Sequence, residues 1–375
     1  MPLALYKIKF YLCIWIQIGY KMDISNKIEF SSSVYQKITL KFSEIDSFKG
    51  NWKALTLNDS KHLKELRKIA TIESIGSSTR IEGATLTDTE VEKLLKSVKI
   101  KTFKTRDEEE VAGYYEVLQI ILKHYEEIHL TKNEIHNLHN LLLKHSSKDQ
   151  RHRGKYKSLS NKVVANYPDG TQRTIFNTTE PHLTEVAMEN LLQWVENRER
   201  KNDLHPLLIV AVFIYEFLSV HPYQDGNGRL SRLLTTLFLM KKDYLFIQYV
   251  SFENIIETRK DDYYRALMDG QKNRNTKKEK IDTWIFFFLD CIQTLIIRLE
   301  AKYKQYHKLE VRINERQQKI IDYLKKHKLA QIGEIELSLK EYSRNTLKKD
   351  LTYLLREGVL IKTGEARAYT YHLKK

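Results

Sequence analysis

The stretch "HPYQDGNGRLSR", residues 221–232, decides how the rest of the chain is read. It follows "HPLLIVAVFIYEFLSV", a run apolar nearly all round, which predicts a central buried helix. The chain holds only 13 glycines in 375 residues, yet Gly226 and Gly228 flank Asn227 where that helix ends and another begins. Glycine there lets backbone N–H groups converge with no Cβ in the way. Those donors, with the positive end of the following helix, make a nest suited to phosphate. Arg229 and Arg232 stand at i, i+3 on the first turn of that helix, and each offers a planar fork of donors to phosphate oxygens. Asp225 adds a hard carboxylate, the ligand type taken by a magnesium ion bridging phosphates. His221 can accept a proton near neutral pH. Taken singly these are ordinary features: a turn, a helix-ending His-Pro, arginines on a solvated face. Their coincidence describes a nucleotide-phosphate site with a base beside it.

The bulk composition agrees. The chain is 42% hydrophobic, enough for two or three domains with real cores. Lys+Arg outnumber Asp+Glu by 63 to 48, a formal net charge of +15 that favours acidic partners without choosing among nucleotide, nucleic acid and anionic surface. Two cysteines, Cys13 and Cys291, suit a reducing, cytoplasmic compartment and argue against a disulfide framework or a zinc site. Residues 1–21 differ in character from the rest. Their apolar run Phe10–Gly19 is short of the about 20 residues a membrane span needs, and no small-residue cleavage site follows it. Met22 is therefore the expected natural start and 1–21 a doubtful extension; a membrane-surface anchor is the competing reading.

Along the chain, residues 22–60 read as mixed, with alternating pieces such as "VYQKITLKF". A helix is expected from the cap Asp59 through "SKHLKELRKIATIESI", stopping at the glycines of "GSSTRIEG". Further helices follow in "TDTEVEKLLKSV", in "RDEEEVAGYYEVLQIILKHYEEI" and, after the cap Thr131, in "TKNEIHNLHNLLLKHSS". "KVVANYPDGTQRTIFN" is the clear hairpin, with turn chemistry at Pro168-Asp169-Gly170. Helices then dominate to about residue 304. From about Asn314 three helices precede two short strands around Gly364, the order of a winged helix-turn-helix.

"HPYQDGNGRLSR" resembles the signature of the Fic (Fido) family, His-x-Phe-x-(Asp/Glu)-Gly-Asn-Gly-Arg-x-x-Arg. It matches at His221, Asp225, Gly226, Asn227, Gly228, Arg229 and Arg232, and departs at Tyr223, where phenylalanine is usual. The added hydroxyl needs a partner. The resemblance implies transfer of AMP from ATP to a Tyr, Ser or Thr hydroxyl of a target protein, with release of pyrophosphate. In that reading His221 is the base and Asp225 holds Mg²⁺. The segment Asp225 to Arg232, Leu230 and Ser231 included, binds the nucleotide. The hairpin at Val163 and Val164 is similar to the family's flap, which aligns a target segment by strand pairing. "DDYYRAL", with Tyr263 and Tyr264, resembles the segment bordering the adenine; a structural hairpin and core tyrosines are the plain alternatives.

"SSTRIEG" resembles the family's inhibitory motif, (Ser/Thr)-x-x-x-Glu-(Gly/Asn), at Ser78, Glu82 and Gly83. The resemblance implies that Glu82 pairs with Arg232 and takes the fork that the outer phosphate of ATP needs. Some relatives with this glutamate also remove AMP. The expectation is a mostly α protein: residues 22–110 with the inhibitory helix, a Fic-type helical bundle with a β-hairpin flap over 111–305, and a winged helix over 306–375. The third helix of that tail carries Arg344, Asn345, Lys348 and Lys349, and its wing Lys362 and Arg367, which suit DNA; a basic protein-docking face is the other reading. Partners admitted are a hydroxyl-bearing target protein, DNA through the tail, and a second copy of the chain, with no membrane. The rival function is a DNA-binding regulator whose Fic site senses nucleotide or is vestigial.

Overall fold

Ile38, Phe42, Ile45 and Trp52 are buried at the spacing of a helix face, and helix α1 (Ser32–Thr56) carries all four. This corrects the mixed reading of residues 22–60. A strand would have put Leu40 on the same side as Ile38 and Phe42, but Leu40 is 59% exposed. The structure, a computed structural model, describes residues 24–56, 60–97, 103–166, 170–310, 313–364 and 369–374. The doubtful extension 1–21, the cap Asp59, the turn residues Pro168 and Asp169 and the wing residue Arg367 lie outside these residues. Described residues fall into two compact units, Met1–Glu300 and Ala301–Lys375.

In the first unit, α2 (Ser60–Ile81), α3 (Asp88–Ser97), α4 (Arg106–His124) and α5 (Lys132–Leu142) lead to a hairpin of β1 (Lys162–Asn166) and β2 (Gln172–Asn177). Then come α6 (Pro181–Lys201), α7 (Pro206–Val220), α8 (Asn227–Lys241), α9 (Phe252–Thr258), α10 (Lys260–Gln271) and α11 (Asp282–Glu310), whose residues from Ala301 on belong to the second unit. Thr131 caps α5 as expected, its side chain accepting from the Glu134 N–H. Every residue of α7 from Leu207 to Val220 is buried, and α6 and α8 pack against it. Its apolar circumference leaves no other place for it.

One charge interrupts that helix. Glu216 is fully buried and paired with Lys27 (2.7 Å) and Arg274 (2.7 Å), which also hold the buried Glu279 at 3.2 and 2.8 Å. Buried ions persist only when paired in this way. The set ties the short 3₁₀ turn Ser25–Ile28 and the loop after α10 to the middle of α7.

Helix α2 does not stop at Gly76, as the glycines had suggested, but runs on to Ile81. A Cβ at Gly76 would lie 2.4 Å from Asp88 Oδ1, so the residue marks a close approach rather than a break. The end comes at Gly83, in the left-handed region at φ 109°. Arg80 fixes this end from outside, reaching Glu257 of α9 (2.7 Å) and Asp88 of α3 (2.8 Å).

The second unit runs α12 (Glu315–His327), β3 (Leu329–Gln331), α13 (Ile332–Ser338), α14 (Arg344–Arg356), β4 (Leu360–Thr363) and β5 (Thr370–Leu373). Its sheet is antiparallel in the order β3-β5-β4, and β3 is a strand the sequence reading did not foresee. Ile320, Leu324, Ile335, Leu347, Leu351 and Leu354 form its own core. The buried Asp350 of α14 takes Gln317 Nε2 (2.9 Å) and both arms of Arg316 from α12.

Candidate active site

Helix α7 ends at His221, which turns into the left-handed region (φ 53°, ψ 61°) while its N–H still closes on Phe217 O. The imidazole Nδ1 lies 3.2 Å from Leu218 O. A carbonyl can only accept, so Nδ1 carries the proton and Nε2 keeps a free lone pair. Burial, with the cation of Lys157 nearby, pushes the His221 pKa down to about 4, so the ring is neutral and able to act as a base at pH 7.

Tyr223 is fully buried. Its ring stacks on His139 at 3.7 Å, and the hydroxyl that departs from the signature meets His136 Nδ1 at 2.9 Å. Asn227 folds back on the same residue, Oδ1 accepting from Tyr223 N (2.8 Å) and Nδ2 donating to Tyr223 O (2.7 Å). Its side chain thus braces the turn. Gly226 begins α8 at φ 78°. Leu230 is a core residue, and the Ser231 hydroxyl is spent on Gly228 O.

The two arginines are buried, each against carboxylates of this chain. Arg232, 2% exposed, donates to Ser78 Oγ (2.8 Å), Ser78 O (2.8 Å) and Glu82 Oε1 (2.7 Å). A Cβ at Gly228 would fall 2.0 Å from that same Glu82 oxygen, so the carboxylate lies against the Gly-Asn-Gly turn itself. Despite burial, Glu82 and Tyr263 hold the Arg232 guanidinium above its ordinary pKa. Arg229 reaches Asp225 Oδ1 and Glu110 Oε2, each at 3.0 Å. Its Nε has no hydrogen-bond partner among the described residues, and its Nη1 meets Glu110 only as an ion pair, so this buried fork suits an incoming anion.

Asp225 also accepts from Gly226 N, and its other oxygen meets Arg106 Nη2 at 3.2 Å. Burial raises its pKa, but Arg229, the Gly226 N–H and Arg106 together take it below the ordinary value. Among the described residues no group of three or more His, Cys, Asp or Glu is placed to hold a metal. A lone carboxylate fits a Mg²⁺ that arrives on phosphates, since that ion is held by one or two carboxylates plus substrate oxygens.

The sequence-predicted residues His221, Asp225, Gly228, Arg229, Arg232, Ser78 and Glu82 therefore meet. Tyr263 joins them from α10 beside Arg232, while Tyr264 packs edge-on to Tyr263 at 5.1 Å; both are buried. Val163 and Val164 sit in β1 opposite Phe176 and Thr174, with a register shift between them. Sequence reasoning missed Arg106 and Glu110 of α4 and the lysine at 157. Glu110 gave a signal, being an acid at the head of the apolar seam Val111, Tyr114, Val117.

Residues 129–239 match the Fic/DOC family, and residues 316–366 match the DeoR-like helix-turn-helix domain. The protein adenylyltransferase Fic of Drosophila mojavensis is 29% identical over 184 residues, which is 48% of this chain and 34% of that one. The chain thus spans about a third of the length of the curated relatives it matches. A Fic family protein from Desulfovibrio desulfuricans G20 shares the fold at a TM-score of 0.58 and 20% identity, over 93% of this chain and 98% of that one. Fic-1 from C. elegans does so at 0.57 and 19%, over 73% and 74%. The chain carries a Fic/DOC-family domain followed by a DeoR-like helix-turn-helix domain.

Proposed function

We propose that the protein transfers AMP from ATP to a Tyr, Ser or Thr hydroxyl of a target protein and that Glu82 restrains the reaction. The observation that carries this reading is the Glu82 carboxylate, already seated on Arg232 and against Gly228 beside a neutral His221. An anion site occupied by the chain's own carboxylate is a site whose ligand is displaced before use. In the reaction, the target hydroxyl attacks the α-phosphorus and the bond to the β-phosphate breaks. His221 Nε2 takes the hydroxyl proton, and pyrophosphate leaves. Arg229, whose Nε has no partner among the described residues, and Arg232, once freed of Glu82, would hold the outer phosphates. Asp225 would hold Mg²⁺, which neutralises phosphate charge when bound. Positioning and charge neutralisation then supply most of the rate.

Among the described residues no helix is long and apolar enough to cross a membrane. Two cysteines in 375 residues suit a reducing compartment, and on that ground we place the reaction in the cytoplasm. The test uses α-labelled ATP, Mg²⁺ and a cell lysate with wild type, Glu82→Gly and His221→Ala. Label on protein should rise in the first variant and vanish in the second. Folded variants that all fail to transfer label would overturn the reading.

A second activity is favoured by one observation. Arg344, Asn345, Lys348 and Lys349 of α14 and Lys362 of β4 are exposed, in the domain that matches a DeoR-like helix-turn-helix. We read α14 as a DNA-contacting helix, its cations meeting phosphates. Arg344 is already oriented by Glu336 at 2.6 Å. Binding of labelled duplex by the full chain, lost at high salt, is the check.

A further inference from the structure

Lys157, in the loop before β1, is 4% exposed, yet among the described residues no carboxylate pairs with it. Its ammonium donates instead to three neutral oxygens: Val220 O (3.0 Å), Asn161 Oδ1 (2.8 Å) and Thr178 Oγ1 (2.8 Å). Its backbone N–H donates to Pro222 O at 2.8 Å. Asn161, held by that ammonium, donates through Nδ2 to Tyr223 O (2.7 Å) and, at 3.5 Å, to His221 O. The carbonyls of Val220, His221, Pro222 and Tyr223 are thus all taken by two residues that lead into the hairpin.

These carbonyls need partners from outside. Val220 O is at the C-terminal end of α7, where carbonyls lack helical N–H donors and the helix dipole is negative. The left-handed turn at His221 takes the next carbonyls out of α7; Tyr223 O also accepts from Asn227 of α8, while His221 O and Pro222 O find their donors in this loop. A cation at this spot satisfies both the hydrogen bonds and the dipole. The same ammonium is fixed to Thr178, just after β2, whose hydroxyl donates back to Asn161 O at 3.0 Å. One buried charge therefore joins the two ends of the hairpin to the turn that carries the histidine.

We infer that Lys157 is a positioning residue that locks the catalytic-histidine turn to the base of the hairpin, setting the base and the surface that presents the target in one register. The inference rests on the proposed adenylyl transfer for its purpose, but the lock itself is a physical contact. The charged groups that face His221 are Lys157 from this loop, Glu82 just past the end of α2 and Asp225 from its own turn. Lys157 is the cation among them, and it favours the neutral imidazole. Burial pushes its own pKa down to about 8, so it carries its charge at neutral pH.

The experiment compares Lys157→Met, Lys157→Gln and Lys157→Arg with wild type, all as the full chain and without ATP. The His221 imidazole is titrated by NMR, and amide exchange is followed at residues 161–165 and 220–223. The Gln variant keeps a donor and loses the charge, so the His221 pKa should rise by roughly one unit while exchange changes little. The Met variant should raise the pKa and also accelerate exchange on both segments together. The Arg variant should restore wild-type behaviour in both. An unmoved His221 titration in the Gln variant, which decides the matter even if the Met variant does not fold, would overturn the inference. So would exchange that rises in one segment of the Met variant and not the other. If wild type fails to transfer AMP, the reaction reading falls while these readouts still stand or fail on their own.

Discussion

Arg229 and Arg232 are 1% and 2% exposed and spend donors on carboxylates of their own chain, whereas Lys348 and Lys349 of the second unit stand in solvent. The contrast separates two ways of handling an anion. A buried guanidinium is already desolvated and oriented, so taking up a phosphate means exchanging one anion, a carboxylate, for another. An exposed ammonium has nothing to exchange but counterions, so its affinity follows salt. Under the proposed functions the first arrangement is a switch and the second a graded grip.

The largest expected effect breaks the first arrangement at its base. His221→Asn should lower transfer about 10²- to 10⁴-fold in a labelled-ATP assay. For wild type the sign of the pH effect follows from the depressed pKa: the neutral ring is fully present at pH 7 and is lost as pH falls through about 4. On His221's account transfer should stay level well into mild acid. An acid limb near the ordinary histidine value of about 6.5 would contradict the buried setting.

Next comes Glu82→Gln, which keeps the bulk of the side chain and removes its charge. If the switch is an exchange of anions, transfer should rise about 10- to 100-fold, the worth of one charge-assisted hydrogen bond. No rise would mean that bulk, not charge, blocks the site. In the second unit, Lys348→Ala with Lys349→Ala should flatten the dependence of log duplex affinity on log salt by about 2. A weakening with unchanged slope would show that these lysines do not meet phosphates. The smallest effect is Tyr223→Phe. Losing the bond to His136 should cost about 1 kcal/mol in denaturant unfolding, and a stabilised variant would mean that bond carries nothing.

The site was legible where its chemistry is local in sequence. The turn from His221 to Arg232 declares itself because glycine, carboxylate and arginine at those offsets have few other uses. Ser78 and Glu82 were legible only through a resemblance, since their partner Arg232 is 150 or more residues away along the chain and no local pattern links them. Lys157 was silent for the opposite reason. It stands among the exposed-looking cations of "KDQRHRGKYKS", and nothing in that string says that this one is buried. The fold shows the same limit. Leu40 made α1 look partly extended because an exposed leucine mimics the alternation of a strand. Gly76 made α2 look short because the approach of Asp88 that it accommodates comes from another helix.

The missing Cβ at Gly228 constrains how this chain can change by descent. The space it leaves is filled by a Glu82 oxygen, and under the proposed reaction the same space borders the phosphates. A substitution there would evict the restraint and the nucleotide together. Lineages that lose the restraint and keep the reaction must therefore mutate the N-terminal helix end, at Ser78, Glu82 or the Arg80 contacts that seat it, and leave the turn alone. Under the proposed reaction, restraint and chemistry are held by separate stretches of sequence, so the first can be lost by one codon while the second stays whole.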